Sequence, residues 1–216
     1  MVIVVGGMIG LGKTTVARML GEYLNSEVFY ESVDDNPILP LFYSSTEKEI
    51  QQKRYPFLLQ LHFLNTRFKS IKKALVNRHN VLDRSIYEDL YFCKKNKDLG
   101  RISRLEYALY ENLLENMLEE LEELPKKSPD VMVYLKGSFD LVIQRIKQRG
   151  REYELDYKLL EYFKFIWKDY DSFILNDFSN NYKNTKIIVL DMNETDLNRK
   201  KDRENLLKNI DNVLNL

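Results

Sequence analysis

The sequence predicts an α/β domain built on a doubly wound, five-stranded parallel sheet with helices on both faces. Short apolar runs recur along the chain, and each is separated from the next by a segment with helical periodicity, which is the alternation typical of parallel sheets. The 216 residues contain no linker and no internal repeat, so we expect a single domain over residues 1–216. The predicted strands cover residues 2–5, 28–30, 81–82, 131–135 and 187–190.

The charge balance and the cysteine content limit the classes of function. The chain has 33 basic and 33 acidic residues, so it offers no basic face for polymeric nucleic acid. Cys93 is the single cysteine, which excludes an internal disulfide and a thiolate zinc site and is typical of a reducing compartment. No secretory signal and no apolar run of membrane length is found, so we expect a cytoplasmic protein without a membrane partner.

The first predicted strand runs into a glycine-rich motif. Residues 7–14 read GMIGLGKT, which fits the P-loop pattern G-x-x-x-x-G-K-[ST], and a helical pattern follows. The glycines let backbone N–H groups converge on phosphate oxygens, Lys13 adds a charge, and the Thr14 hydroxyl suits Mg²⁺. The motif predicts that a nucleoside triphosphate binds here with Mg²⁺. The candidate phosphate-binding residues are Gly7, Gly10, Gly12, Lys13, Thr14 and Thr15.

The second and third predicted strands end in charged residues. Glu31 follows the second strand, and Asp83-Arg84-Ser85 ends the third. Ligands of open parallel sheets gather beyond the carboxyl ends of the strands, so these side chains are candidates for a site. Glu31 can accept a hydroxyl proton there, and Asp83 can hold Mg²⁺ through water. The alternative for each carboxylate is a helix cap or a solvated loop.

Two long helices are expected between the strands. In the first, residues 57–75 carry an apolar stripe, with Gln60 and Arg67 at its edge. In the second, residues 105–124 are apolar on two sides, so this helix needs two partners. We expect the sheet on one side, and either a second subunit of a homodimer or the rest of the monomer on the other.

An arginine cluster follows the fourth predicted strand. Arg145 and Arg149 share one helix face, Gly150 ends that helix, and Arg151 follows. Such a cluster is either a solvated basic face or an arginine-rich lid, at about 145–155, that brings guanidinium groups to a transferring phosphoryl group.

Together these residues resemble the deoxynucleoside kinases. The resemblance runs from about residue 1 to about residue 175 and rests on residues 7–15, Glu31, Asp83-Arg84-Ser85 with Asp89, and residues 145–154. Residues 31–37 look like the bacterial deoxyadenosine/deoxyguanosine kinase branch. The resemblance implies a P-loop kinase fold and ATP-dependent phosphorylation of the 5′-hydroxyl of a purine deoxynucleoside, with Mg²⁺.

The resemblance also implies roles for single residues. Glu31 would be the general base, Arg84 would steady the hydroxyl and the phosphoryl group, and Asp83 would organise Mg²⁺ with Thr14. Gln60 would bind the base edge beside an Arg67–Asp89 pair, while Tyr43 and Glu154 would hold the sugar. Lys13, Arg145, Arg149 and Arg151 would contact the phosphates, and residues 191–195 the adenine of the donor. Cys93 stands where relatives often carry a phenylalanine, with Phe92 beside it, so the base-stacking residue stays open.

Two other functions fit parts of the pattern. A deoxynucleoside monophosphate kinase of the thymidylate kinase type shares the P-loop, the lid arginines and an Asp-Arg pair, but the carboxylates of Glu31, Asp34 and Asp35 would repel its monophosphate acceptor. A nucleotide-sensing module without turnover needs neither Glu31 nor Arg84. The preferred deoxynucleoside, the donor, the feedback nucleotide and the oligomeric state are left open.

Overall fold

The computed structural model describes residues 1–31, 33, 35–76, 80–122 and 128–214. Within these ranges five strands form one sheet in the order β2-β3-β1-β4-β5, and all neighbouring strands are parallel. The predicted fold class and all five predicted strands are therefore confirmed. The strands are β1 (Val2–Gly7), β2 (Val28–Phe29), β3 (Asn80–Asp83), β4 (Val131–Lys136) and β5 (Lys186–Asp191).

Helices connect the strands, as the alternating pattern predicts. In the described part of the chain they are α1 (Lys13–Leu24), α2 (Leu39–Ser44), α3 (Glu47–Lys53), α4 (Tyr55–Ala74), α5 (Asp89–Asp98), α6 (Arg104–Glu122), α7 (Phe139–Arg149), α8 (Leu159–Lys168), α9 (Tyr170–Ser172), α10 (Ser179–Asn181) and α11 (Lys200–Leu214). A π-helical turn (Phe173–Phe178) joins α9 to α10, and 3₁₀ turns form at Ile86–Glu88 and Glu152–Glu154. No helix among the described residues has the length and apolar character needed to cross a bilayer.

The central strands are covered on both sides. All six residues of β1 and the first five of β4 are buried. Because successive side chains of a strand point to opposite faces, this burial requires helices on both faces of the sheet. From β1 the chain continues to β2 at one edge of the sheet, whereas from β3 it continues to β4 in the opposite direction. The crevice between the carboxyl ends of β1 and β3 is therefore the topological switch point, where ligands of such sheets bind.

Helix α4 departs in part from its predicted apolar stripe. Leu64, Phe68 and Ile71 are buried as predicted, whereas Phe57 and Leu61 are half-buried. Gln60 and Arg67, which stand at the edge of the predicted stripe, are both buried as well. The helix packs on β3, α5 and α6 at once, and periodicity alone does not reveal burial on two sides.

Helix α6 packs chiefly on α5 and α4 rather than on the sheet, contrary to the prediction. Tyr110, Leu114 and Leu121 form its buried side, while the predicted member Leu124 lies outside the described residues. On the second predicted side, Leu105, Leu109 and Leu113 are 71%, 55% and 38% exposed. Within the described residues, Leu105, Leu109 and Leu113 on this side of α6 are therefore left largely uncovered.

The glycine-rich turn between β1 and α1 needs its glycines for backbone reasons. Gly7, Gly10 and Gly12 have φ angles of 146°, 86° and 92°, which disfavour residues with a Cβ. A Cβ on Gly7 would also lie 2.7 Å from the backbone oxygen of Leu135 in the adjacent strand β4. Glycine at position 7 therefore allows both the positive φ angle of the turn and the close approach of β1 to β4.

Gly7→Ala should therefore destabilise the protein more than a matched glycine substitution elsewhere. Gly100 has a φ of 70°, and a Cβ added there would meet no atom within 4 Å, so Gly100→Ala adds only backbone strain, about 1–2 kcal/mol. Gly7→Ala adds the contact with Leu135 and should lower the melting temperature by several degrees more than Gly100→Ala. Equal melting temperatures of the two variants would contradict this explanation.

Candidate active site

Two cavities flank the P-loop at the carboxyl end of the sheet. The first is lined by Ile9, Lys13, Glu31, Val33, Leu39, Phe42, Tyr43, Leu59, Gln60, Phe63, Arg67, Arg84, Phe92, Arg149, Arg151, Glu154, Tyr162 and Ile166. The second is lined by Gly10, Leu11, Gly12, Thr15, Leu141, Gln144, Arg145, Gln148, Arg149, Met192, Asp196, Leu197 and Asn198. After the ligands that the sequence resemblance leads us to expect, we call them the acceptor cavity and the donor cavity. Arg149 lines both, so the two spaces adjoin at this residue.

The P-loop lysine lies buried beside the acceptor cavity. Its Nζ donates a hydrogen bond to the Met8 carbonyl oxygen at 3.0 Å. Burial, and after it the nearby Arg84 cation, lower the pKa of Lys13 to about 7. A bound phosphate would favour the protonated form, because an adjacent negative charge stabilises an ammonium group.

Thr14 and Asp83 meet at the switch point between β1 and β3. Thr14 Oγ1 donates to Asp83 Oδ2 at 2.5 Å, and within the described residues Asp83 Oδ1 is buried without a hydrogen-bond partner. Burial raises the pKa of Asp83, although Lys13 opposes this shift. A hydroxyl and a carboxylate are the oxygen ligands that Mg²⁺ prefers, so the pair fits this ion. Among the described residues, no three or more acidic, histidine or cysteine side chains are arranged so that they could hold a metal ion, so Mg²⁺ would also need phosphate oxygens or water.

Glu31 is held between two buried arginines. Arg67 Nη2 donates to Glu31 Oε1, and Arg84 Nε lies 3.5 Å from the same oxygen. Burial is the largest single effect and raises the pKa of Glu31. The two guanidinium groups and Lys13 outweigh it and bring the pKa down to about 2. Glu31 is therefore ionised near neutral pH.

Two of the three predicted base-binding residues, Gln60 and Arg67, line the acceptor cavity, and the third, Asp89, is fully buried and paired with Arg67. Arg67 forms ion pairs with both Asp89 and Glu31, and its Cζ lies 4.5 Å from the centroid of the Phe63 ring. The contact of Arg67 with Glu31 was not predicted, because the two residues are 36 positions apart and on different elements.

Phe92 and Cys93 are adjacent in sequence, but only Phe92 belongs to the aromatic lining of the acceptor cavity. Phe92 lines the acceptor cavity, and its ring centroid lies 4.7 Å from Arg84 Cζ. Cys93 is fully buried and does not line that cavity. Tyr43 lines the cavity as well, stacked on Tyr153 with their centroids 5.9 Å apart.

The predicted lid residues lie around the mouth of the two cavities. Helix α7 ends at Gly150, whose φ is 73°, as predicted. Arg149 forms an ion pair with Glu154, and Arg151 Nη1 lies 3.7 Å from the other oxygen of Glu154. Arg145 Nη1 donates to the Leu11 carbonyl oxygen of the P-loop at 3.4 Å. The arginines thus adjoin the P-loop, whereas closure as a lid stays a prediction.

Two residues in contact with this site were missed by the sequence analysis. Glu88 and Tyr170 are both buried, and both hydrogen-bond to Arg84. Glu88 lies four residues after Arg84 and so offered a weak signal. Tyr170 is 86 residues away from Arg84 and offered none.

Comparisons with known proteins find deoxynucleoside kinases among the relatives of this chain. A family model described as deoxynucleoside kinase matches residues 3–215. A deoxyguanosine kinase of Lactobacillus acidophilus is 50% identical over 180 residues, which cover 79% of this chain and 76% of that protein. A deoxyadenosine kinase of the same organism is 41% identical over 178 residues, covering 81% and 80%. Structures of deoxyadenosine kinase from M. mycoides with bound dCTP and with bound dATP match 98% of this chain and 100% of theirs, at 30% identity and a TM-score of 0.78.

Glu31→Gln should lower the stability of the protein at neutral pH, because it removes the anion between two buried arginines. The loss should be roughly 2–4 kcal/mol, or about 5–10 °C in melting temperature. The folded-state pKa of Glu31, about 2, lies below its ordinary value of 4.5. The contribution of the charge is therefore complete above about pH 4.5 and is lost as the pH falls towards 2. The difference in melting temperature between wild type and variant should shrink from pH 7 to pH 3.

The exposed Glu161 of α8 provides the control. Glu161→Gln should leave the melting temperature nearly unchanged at both pH values. If Glu31→Gln melts at the wild-type temperature at pH 7, the Arg67 and Arg84 contacts do not stabilise the fold.

Proposed function

Because the chain is an enzyme of the deoxynucleoside kinase family, we propose that it transfers the terminal phosphoryl group of ATP to the 5′-hydroxyl of deoxyadenosine or deoxyguanosine. The observation that carries this proposal is the pair of cavities that meet at Arg149 beside the P-loop. One space holds the donor, the other holds the acceptor, and the reacting groups meet between them.

The residues of the acceptor cavity give the hydroxyl a defined place. Glu31 is ionised and takes up the 5′-hydroxyl as a hydrogen-bond donor, in exchange for part of its contact with Arg67. With a pKa of about 2, Glu31 is a weak base. This suffices for a loose phosphoryl-transfer transition state, in which positioning and electrostatics supply most of the rate enhancement. Arg84 bridges Glu31 and the end of β1, where the transferring group arrives.

The phosphate-binding groups complete the donor side. The P-loop amides and Lys13 bind the phosphates, while Arg145, Arg149 and Arg151 approach from the lid. Mg²⁺ held at Thr14 and Asp83 would neutralise charge on the phosphate oxygens. The loop at 191–195, whose Met192 lines the donor cavity, and Asn198 of the same cavity would contact the donor base.

The preference for a purine rests on Gln60 and Arg67 of the cavity lining, with Asp89 paired to Arg67 from behind. The amide offers a donor and an acceptor, and the ion pair meets either an exocyclic amine or a carbonyl. Phe63 and Phe92 also line this cavity and would flank the base. Tyr43 and Glu154 lie beside them, where the sugar hydroxyls would reach.

The alternative of a monophosphate kinase finds less support in this site. Glu31 is ionised at the acceptor side, so a phosphate placed there would be repelled. Asp35 is exposed, and Asp34, the third carboxylate expected to repel a phosphate, lies outside the described residues. A sensing module without turnover would leave the paired placement of Glu31 and Arg84 without a catalytic role.

The proposed function is tested with wild-type protein, ATP, Mg²⁺ and each of the four deoxynucleosides. We expect deoxyadenosine or deoxyguanosine to give the highest kcat/KM and thymidine the lowest. Glu31→Gln keeps the size of the side chain but removes its charge, so kcat should fall by roughly two to four orders of magnitude. Assays should be run well below the melting temperature of the variant, to separate catalysis from stability.

Glu161→Gln serves again as the control and should keep the wild-type kcat. Thymidine as the best substrate would overturn the assignment of Gln60 and Arg67 to base binding. Phosphorylation of monophosphates but not of nucleosides would favour the alternative kinase. A Glu31→Gln variant that keeps more than about a tenth of the wild-type kcat would remove the role of Glu31.

We also propose that the protein is a cytoplasmic homodimer, joined through the exposed side of α6. Leu105, Leu109 and Leu113 form an apolar row along this helix, and such rows are typical of interfaces. Met117 and Leu118 also lie on α6, but both are half-buried against the core, so substitutions there would disturb the monomer.

Leu109→Glu should split the dimer, because the carboxylate would have to leave water at an apolar contact. Leu175→Glu, at another exposed leucine in the π-helical turn, is the control and should leave the dimer intact. Light scattering of wild type and both variants measures the mass. A monomeric wild type would end this proposal without affecting the proposed reaction.

A further inference from the structure

A fully buried carboxylate next to the acceptor cavity takes no part in the reaction proposed above. Glu88 ends the 3₁₀ turn Ile86–Glu88, and its side chain is 0% exposed. Its Oε1 accepts hydrogen bonds from the Gly7 backbone N–H at 3.3 Å, from Arg84 Nη1 at 3.4 Å and from the Tyr170 hydroxyl. A buried carboxylate is costly unless its charge is compensated, so these three donors are what keeps Glu88 in place.

The backbone beside Glu88 is shaped to admit it. A Cβ on Gly6 would lie 3.1 Å from Glu88 Oε1 and 2.8 Å from Met132 Sδ. Gly6 precedes the P-loop motif, so phosphate binding does not explain this glycine. The space that it leaves in β1 is occupied by the carboxylate of Glu88.

Tyr170 closes the other side of the same group. Its hydroxyl donates to Glu88 Oε1 and accepts from Arg84 Nη1 at 3.3 Å. Its ring is packed perpendicular to Tyr91, with the centroids 5.0 Å apart. Burial, and after it the Glu88 carboxylate, raise the pKa of Tyr170 well above its ordinary value, so the hydroxyl keeps its proton.

The contacts with Glu88 and Tyr170 help to orient the Arg84 guanidinium group. It has a φ of 67°, which is uncommon for a residue with a side chain and persists only where surrounding contacts fix it. Nη2 donates to the Gly7 carbonyl oxygen at 2.9 Å, and Nε faces Glu31 at 3.5 Å. Glu88 and Tyr170 are the partners of Nη1. Without them the guanidinium group could pivot about Nε towards Glu31.

We infer that Glu88 and Tyr170 are positioning residues, which hold the Arg84 guanidinium group in the one orientation that faces both the acceptor hydroxyl and the transferring phosphoryl group. The inference rests on the proposed function for the role of Arg84. Neither residue contacts the substrate; both act through Arg84. Their removal should therefore slow phosphoryl transfer and leave nucleoside binding almost unchanged.

Tyr170→Phe tests this inference with the smallest change, because it removes the hydroxyl and keeps the packed ring. We expect kcat to fall about tenfold to a hundredfold, the effect of a small misplacement at a reacting centre, with the nucleoside KM within about twofold of wild type. Glu88→Gln should act in the same direction. Tyr134→Phe is the matched control, since Tyr134 is a buried tyrosine whose hydroxyl bonds Asp171 rather than Arg84, and it should keep the wild-type kcat.

A double-mutant cycle with Arg84→Lys shows whether Tyr170 acts through Arg84. Lysine lacks the Nη1 group that Tyr170 holds, so adding Tyr170→Phe to Arg84→Lys should change kcat by less than about twofold. Fully additive losses would overturn the inference, as would a Tyr170→Phe variant with the wild-type kcat. The inference would also be overturned if the kcat of Tyr170→Phe returned to the wild-type value at temperatures far below the melting temperature of the variant, because the loss would then reflect only reduced stability.

A wild type that phosphorylates none of the four deoxynucleosides would overturn the proposed function and this inference with it. If the wild type is active but the variants do not show the expected losses of kcat, only the inference is overturned.

Discussion

The compensation of buried charge at the end of β1 is the constraint on which the rest of the site depends. Three cations, Lys13, Arg67 and Arg84, lie there with four carboxylates, Glu31, Asp83, Glu88 and Asp89. Six of these groups are buried, and Glu31 is half-buried. Charges removed from water remain stable only when they are paired, so each group depends on the position of its neighbours. Four segments must dock correctly before the pairs can form: the P-loop, the segment after β2 that carries Glu31, the segment from β3 to α5, and α4.

The sheet makes this docking possible. Parallel order brings the ends of β1 and β3 side by side, which places Thr14 within hydrogen-bonding distance of Asp83 and Gly7 close to Glu88. The absence of side chains at Gly6 and Gly7 lets β4 and the Glu88 carboxylate approach the same short stretch of backbone. The glycines therefore serve the packing of the sheet and of the charge network in addition to the proposed binding of phosphate.

The sequence predicted those features that are encoded locally. The five strands follow from apolar runs, and the end of α7 follows from Gly150, because each signal lies within a few residues of the structure it describes. The burial of Gln60 and Arg67 was not predictable in this way, since it results from the packing of α4 on several elements at once. The partners of α6 were misassigned for the same reason. Tyr170 was missed because its contact with Arg84 spans 86 residues and leaves no pattern in either segment.

The same charge balance supports the proposal that the two cavities bind different ligands. In the acceptor cavity Arg67 is already paired with both Glu31 and Asp89, so this part of the space favours a neutral group that exchanges hydrogen bonds without adding charge. A deoxynucleoside has this property, and a monophosphate does not. On the donor side, Arg145 is bonded to a carbonyl oxygen, and the P-loop presents backbone N–H groups at the start of a helix. These groups gain free energy from an anion, because a carbonyl oxygen and water are weaker partners for them than phosphate oxygens. The boundary between a neutral and an anionic ligand thus lies at the P-loop, where phosphoryl transfer between the two is expected to occur.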